Sequence, residues 1–126
     1  MNSGEIKNFV QQTLGCECPE EVFRHIECQL SIPADDIQPA ARINIGNRLL
    51  IYVVEIDSEK RVERILPRLI NTGKKERDDL GFNRFRLVLA CGNVDEIRRT
   101  AETLFGNIDR DEKIHLHIVQ KADVPV

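Results

Sequence analysis

Between Arg42 and Val54 the chain carries the pattern that most limits its fold. Arg42-Ile43-Asn44-Ile45 and Arg48-Leu49-Leu50-Ile51-Tyr52-Val53-Val54 flank the pair Gly46-Asn47. Two such segments around a glycine-first pair predict an antiparallel hairpin with a two-residue type II′ turn. The second arm is apolar at nearly every position, where a strand with one wet face would alternate. It is therefore expected at the centre of a sheet, covered on both faces.

The flanking segments supply the cover. Ile6, Phe9, Val10 and Leu14 recur at helical spacing after Ser3, and Gly15 is the expected stop. A short helix is expected to follow at once, with Cys18 as N-cap, Pro19 in the first position, and Val22, Phe23 and Ile26 buried. Glu27 to Ile32 reads as extended, and Pro33-Ala34-Asp35-Asp36 as a loop. Beyond the hairpin, Asp57 and Ser58 offer caps for a helix with Val62, Ile65, Leu66, Leu69 and Ile70 inward. Pro67 is expected to kink that helix, Gly73 to end it, and Lys74 to Asp79 to form a charged loop. A strand over Arg84 to Cys91, a helix capped by Asn93 and stopped at Gly106, and a strand over Lys113 to Val119 complete the chain.

Strand-helix-strand-helix-strand demands parallel neighbours, while the hairpin demands an antiparallel pair. The expectation is an α/β fold, with α+β as the alternative: one single-layer mixed sheet of about five strands, hairpin first and βαβαβ second, helices packed on it and a helix pair at the N-terminus. At 126 residues, with no internal repeat or linker, residues 1–126 are expected to form one globular domain.

Composition narrows the function classes. Hydrophobic residues make up 41% and charged residues 31%, a balance that supports a folded, soluble chain. With 18 basic against 21 acidic residues the net charge is −3, without the basic excess of nucleic-acid-coating domains. No signal peptide or apolar run of membrane-spanning length is visible, so a cytoplasmic location is expected, with no membrane partner. The four cysteines would then be free thiols, metal ligands or transient redox partners rather than structural disulfides.

Cys16-Glu17-Cys18-Pro19 is the leading candidate for chemistry. Two thiols two residues apart can hold one soft metal ion, zinc or iron, or exchange electrons as a strained disulfide. A cysteine at a helix N-terminus gains thiolate character from unpaired backbone N–H groups. Glu17, Glu20 and Glu21 oppose that gain. Cys28, Cys91 and His25 are the candidate auxiliaries. The spacing matches none of the common zinc or iron–sulfur patterns, which favour C-x₂-C pairs.

Three other features draw the eye. Cys91-Gly92-Asn93 lies where open α/β sheets bind ligands, beyond the carboxyl end of a parallel strand, and also reads as an ordinary capped turn. His115 and His117 share one face of the last strand, at metal-ligand spacing or as plain polar positions on an edge. Arg61, Arg64 and Arg68, followed by Lys74, Lys75 and Arg77, form a basic stripe that interleaved Glu and Asp residues make a solvated face. No phosphate-loop glycine motif occurs. The readings that remain are a thiol-redox or metal-binding module built on Cys16 and Cys18, a non-catalytic domain for an unidentified protein partner or for self-association through the last strand, and an enzyme with a pocket beyond Cys91.

Overall fold

A computed structural model of the chain describes residues 3–15, 20–34, 36–37, 40–108 and 113–124. The expected N-cap at Cys18 and helix start at Pro19 fall outside these residues. A single mixed sheet of five strands organises the rest, in the spatial order β1 (Ile26–Gln29), β2 (Ala40–Ile45), β3 (Leu49–Glu55), β4 (Arg84–Cys91) and β5 (Ile114–Gln120). The first three strands pair antiparallel and the last three parallel, as hairpin and βαβαβ require. β3 is the central strand, and its residues from Leu49 to Val54 are all buried.

The hairpin turn departs from expectation. Gly46 and Asn47 both adopt left-handed backbone, with φ of +59° and +57°. That is the signature of a type I′ turn, since type II′ needs a positive φ only at its first central residue. Ile45 pairs with Leu49, so Arg48 belongs to the connection rather than to β3. The Asn44 side chain fastens the turn: its Oδ1 accepts from the Asn47 N–H at 2.8 Å and its Nδ2 donates to Asn47 Oδ1 at 2.8 Å. Glycine is required at 46 on a second count, because a Cβ there would sit 2.6 Å from the Val22 carbonyl oxygen.

The long helix α2 (Glu59–Leu80) and α3 (Val94–Ile108) cover one face of the sheet. Val62, Ile65, Leu66, Leu69 and Ile70 of α2 meet Leu50, Tyr52 and Val54 of β3 and Phe85, Leu87 and Leu89 of β4 in one apolar cluster. α2 runs on through both Pro67 and Gly73, and ends only at Gly81, where φ is +75°. Pro67 lacks the N–H that would bond the Glu63 carbonyl, and Glu63 lies on the exposed side of the helix. Gly73 is a packing residue, not a stop: a Cβ would come within 2.1 Å of the Phe85 ring. The segment 74–79 is therefore helix, not loop, and Arg77 within it is buried at 5% exposure.

The opposite face carries the N-terminal helical segment. α1 (Ser3–Asn8) passes into a π-helical turn (Phe9–Thr13), closed by the Leu14 N–H donating to the Phe9 carbonyl at 3.1 Å. Gly15 follows with φ +65°, the left-handed exit expected of a helix stop. A 3₁₀ turn (Glu20–Arg24) leads into β1. Ile6, Phe9, Val10, Leu14, Val22 and Phe23 pack there against Ile43 and Ile45 of β2, Leu49, Ile51 and Val53 of β3 and Val88 of β4. No helix among the described residues is long and apolar enough to cross a membrane.

Candidate functional site

Cys16 and Cys18 lie outside the described residues, but the chain on either side of them is fixed. Leu14 and Phe23 are both buried on the N-terminal-helix face of the sheet, at 5% and 8% exposure. The Leu14 carbonyl oxygen accepts a hydrogen bond from Arg86 Nη1 at 3.1 Å. The same nitrogen lies 2.8 Å from Nε2 of His117. A guanidinium and an imidazole are thus anchored at the residue two positions before Cys16.

Strand alternation explains how they come there. Even-numbered residues of β4 and odd-numbered residues of β5 point to the N-terminal-helix face. Beyond the apolar patch around Val88, this aligns Arg84, Arg86, His115 and His117 along the β4–β5 margin. Arg84 Nη1 lies 3.4 Å from His115 Nε2, repeating the Arg86–His117 contact one step along the strands. Arginine only donates, so Nε2 of His117 is the acceptor and its proton sits on Nδ1. Burial, with Arg86 and His115 adding like charge, pushes the His117 imidazole down to about 4. His115 is lowered by the same kind of burial and by both arginines. Burial and the nearby Arg84 also lower Arg86. Nε of Arg86 is buried with no hydrogen-bond partner, and among the described residues no carboxylate pairs with Arg84 or Arg86. The two histidines are therefore not a metal pair through Nε2, because the Arg86 guanidinium already uses that lone pair on His117.

The auxiliary residues separate. Cys28 sits exposed on β1, opposite Ile43, on the same face as the N-terminal helical segment. Burial raises its thiol. Cys91 lies on the other face, buried in the α2–α3 cluster, where its Sγ donates to the Val119 carbonyl at 3.7 Å. Burial, followed by the Asp57 carboxylate, raises its thiol. β1 and β4 are three strand spacings apart, roughly 14 Å, and the two thiols face opposite ways. Cys28 and Cys91 cannot share a metal ion whose Zn–S bonds are about 2.3 Å. His25 stands exposed before β1, with Nε2 2.9 Å from Glu27 Oε1. Among the described residues no three His, Cys, Asp or Glu side chains gather as a metal site.

At the carboxyl ends of the parallel strands the ligand position is filled from within. Asp57, expected as a helix cap, instead accepts from the Gly92 N–H at 3.2 Å and from Lys121 Nζ at 2.5 Å. Lys121 also reaches Glu55 at 2.9 Å. The Lys121 hydrogen bond, then the Gly92 N–H, holds the Asp57 carboxyl below the usual range. Asn93 caps α3, accepting from the Glu96 N–H at 3.4 Å. This end of the sheet supplies its own anion to its own donors. Two members of the basic stripe of α2 are paired: Arg68 forms a two-pronged pair with Asp36 at 2.7 and 2.8 Å, and Arg77 pairs with Asp78 at 3.0 Å.

Arg86 is the residue that sequence reasoning passed over. Its signal was present, since Arg84 and Arg86 alternate in a strand whose parallel neighbour alternates His115 and His117. Comparison with known protein families, with curated proteins and with solved structures finds no match for this chain.

Proposed function

We propose that this domain works through the thiolates of Cys16 and Cys18, in thiol exchange or in holding a soft metal ion such as zinc or iron. The supporting observation is the half-buried Arg86, which lacks a carboxylate partner among the described residues and bonds to the carbonyl of Leu14. The Leu14 carbonyl that Arg86 holds precedes Cys16 by two residues in the chain. A nearby guanidinium favours the thiolate over the thiol, and the thiolate is both the nucleophile and the metal ligand. One of the opposing acids is already neutralised. Glu20 accepts from Lys7 Nζ at 2.6 Å, and that hydrogen bond holds its carboxyl below the ordinary range.

Cys28 and Cys91 serve as internal controls, because burial raises both thiols. Alkylation of the folded chain, reduced and freed of metal by a chelator, with iodoacetamide at neutral pH and read by peptide mass, is expected to modify Cys16 and Cys18 first, Cys28 later and Cys91 only on unfolding. If Cys16 and Cys18 react no faster than Cys28, the reading is wrong. Elemental analysis of protein purified without oxygen or chelators then divides its two branches. Zinc or iron near stoichiometry that is lost in Cys16→Ser assigns ligation, and metal-free protein with fast thiols assigns exchange.

Self-association is the second reading. It draws on β5 forming one edge of the sheet, and an exposed strand edge is a ready template for a second copy. The solution mass of the full chain tests it: a dimer that Val119→Lys leaves intact would exclude pairing that depends on β5.

A further inference from the structure

We infer that the β4–β5 margin, where Arg84, Arg86, His115 and His117 stand side by side, is a binding site for an oxyanion, the chemistry shared by phosphate and carboxylate groups. It shares Arg86 with the function proposed above but needs no thiol, and its test reads anion binding rather than cysteine reactivity.

The treatment of charge elsewhere in the fold carries the inference. Arg42, at 8% exposure, donates from Nε to Glu76 Oε1 at 2.9 Å. Arg77 is answered by Asp78, Arg68 by Asp36, and Lys121 by both Asp57 and Glu55. Burying a cation without an anion is costly, and folds normally avoid it. Arg86 breaks that rule among the described residues, and the exposed Arg84 adds its charge beside it. They lie two residues apart on one strand face, and among the described residues their side-chain partners are neutral imidazoles rather than carboxylates.

The geometry also orients the donors. His117 Nε2 and the Leu14 carbonyl both accept from Arg86 Nη1, which fixes the guanidinium in place before any ligand arrives. With Nη1 engaged and Nε buried, Nη2 of Arg86 and the exposed guanidinium of Arg84 are the donors left for an oxyanion, to which charge-assisted hydrogen bonds are strong. Arg84 is exposed and Arg86, His115 and His117 are partly so, which leaves a route for an anion from solvent. The N-terminal helical segment covers the apolar part of this face and gives the site a wall at Leu14.

The test titrates the full chain at low ionic strength with inorganic phosphate and, separately, with acetate. The imidazole proton resonances of His115 and His117 report binding, and sodium chloride at matched ionic strength serves as the reference. Saturable shifts of both imidazoles are expected from at least one of the two anions and not from chloride. Arg86→Gln should weaken that binding at least tenfold, equivalent to about 1.4 kcal/mol, and Arg84→Gln severalfold, while Arg68→Gln on the opposite face leaves it unchanged. Should Arg86→Gln fail to fold, Arg84→Gln and His115→Gln decide the matter alone. Saturation by phosphate only, or by acetate only, assigns the ligand's headgroup. No saturable shift with either anion, the same shift with chloride, or undiminished binding in the folded Arg84 and Arg86 variants would overturn the inference.

Discussion

The two faces of the sheet handle buried charge in opposite ways. Under α2, Arg42, Tyr52 and Glu76 form a closed polar group: Glu76 Oε1 accepts from Arg42 Nε at 2.9 Å and from the Tyr52 hydroxyl at 2.7 Å. Burial and the Glu76 carboxylate raise Tyr52 well beyond its ordinary value, so it stays a hydrogen-bond donor. Under the N-terminal helical segment, Arg86 has, among the described residues, a carbonyl and an imidazole in place of a carboxylate, and a buried Nε with no partner. One face is arranged for stability. The other keeps Arg86 without a carboxylate partner among the described residues, at a cost in stability that an anion would offset.

That contrast predicts an ordered set of effects. Glu76→Ala should cost the most, about 3 kcal/mol, because it strands the Arg42 charge and the Tyr52 hydroxyl in the interior; chemical denaturation measures it. A loss no larger than that of Arg86→Met would erase the distinction between the faces. Gly73→Ala should follow at about 2 kcal/mol, since Phe85, fully buried in a T-shaped contact with Tyr52, has nowhere to move for the added methyl. Arg86→Met should cost only about 1 kcal/mol, the net worth of its hydrogen bonds, because removing an uncompensated cation gives back part of the loss.

The pH dependence sharpens the comparison further. The folded chain keeps His117 unprotonated down to about 4, against an unfolded value of 6.5. Between those values the unfolded state binds more protons, so stability falls as pH drops from 6.5 toward 4. His117→Gln should flatten that part of a denaturation series against pH, and an unchanged slope would mean His117 is not held neutral. The smallest effect belongs to the exposed Asp36–Arg68 pair, both half or more exposed. Asp36→Asn should leave the melting temperature where it is.

Much of the fold was legible because burial and period coincide. The inward faces of α2 and α3, the limits of β4 and the central place of β3 all follow from apolar spacing. Gly73 misled because glycine marks either a helix end or a close approach, and only the Phe85 ring across the core distinguishes them. Gly46-Asn47 misled because the turn type is decided at Asn47, whose left-handed backbone the Asn44 side chain fastens. Asp57 likewise reads as a cap until β5 brings Lys121 beside it. The candidate site was half legible. Cys16 and Cys18 stand out in the sequence, whereas Arg86 acquires its meaning only when parallel pairing sets it diagonally across from His117 and the helix exit presents the Leu14 carbonyl.

Under the proposed function, the charge of Arg86 tunes the thiols of Cys16 and Cys18. The most direct measurement is the pH dependence of alkylation at Cys16 and Cys18, followed by peptide mass in the parent chain and in Arg86→Gln. The account predicts midpoints below the ordinary thiol value of about 8.5 in the parent, rising in Arg86→Gln while Cys28 is unmoved. Midpoints at or above the ordinary value, unchanged by the substitution, would contradict it.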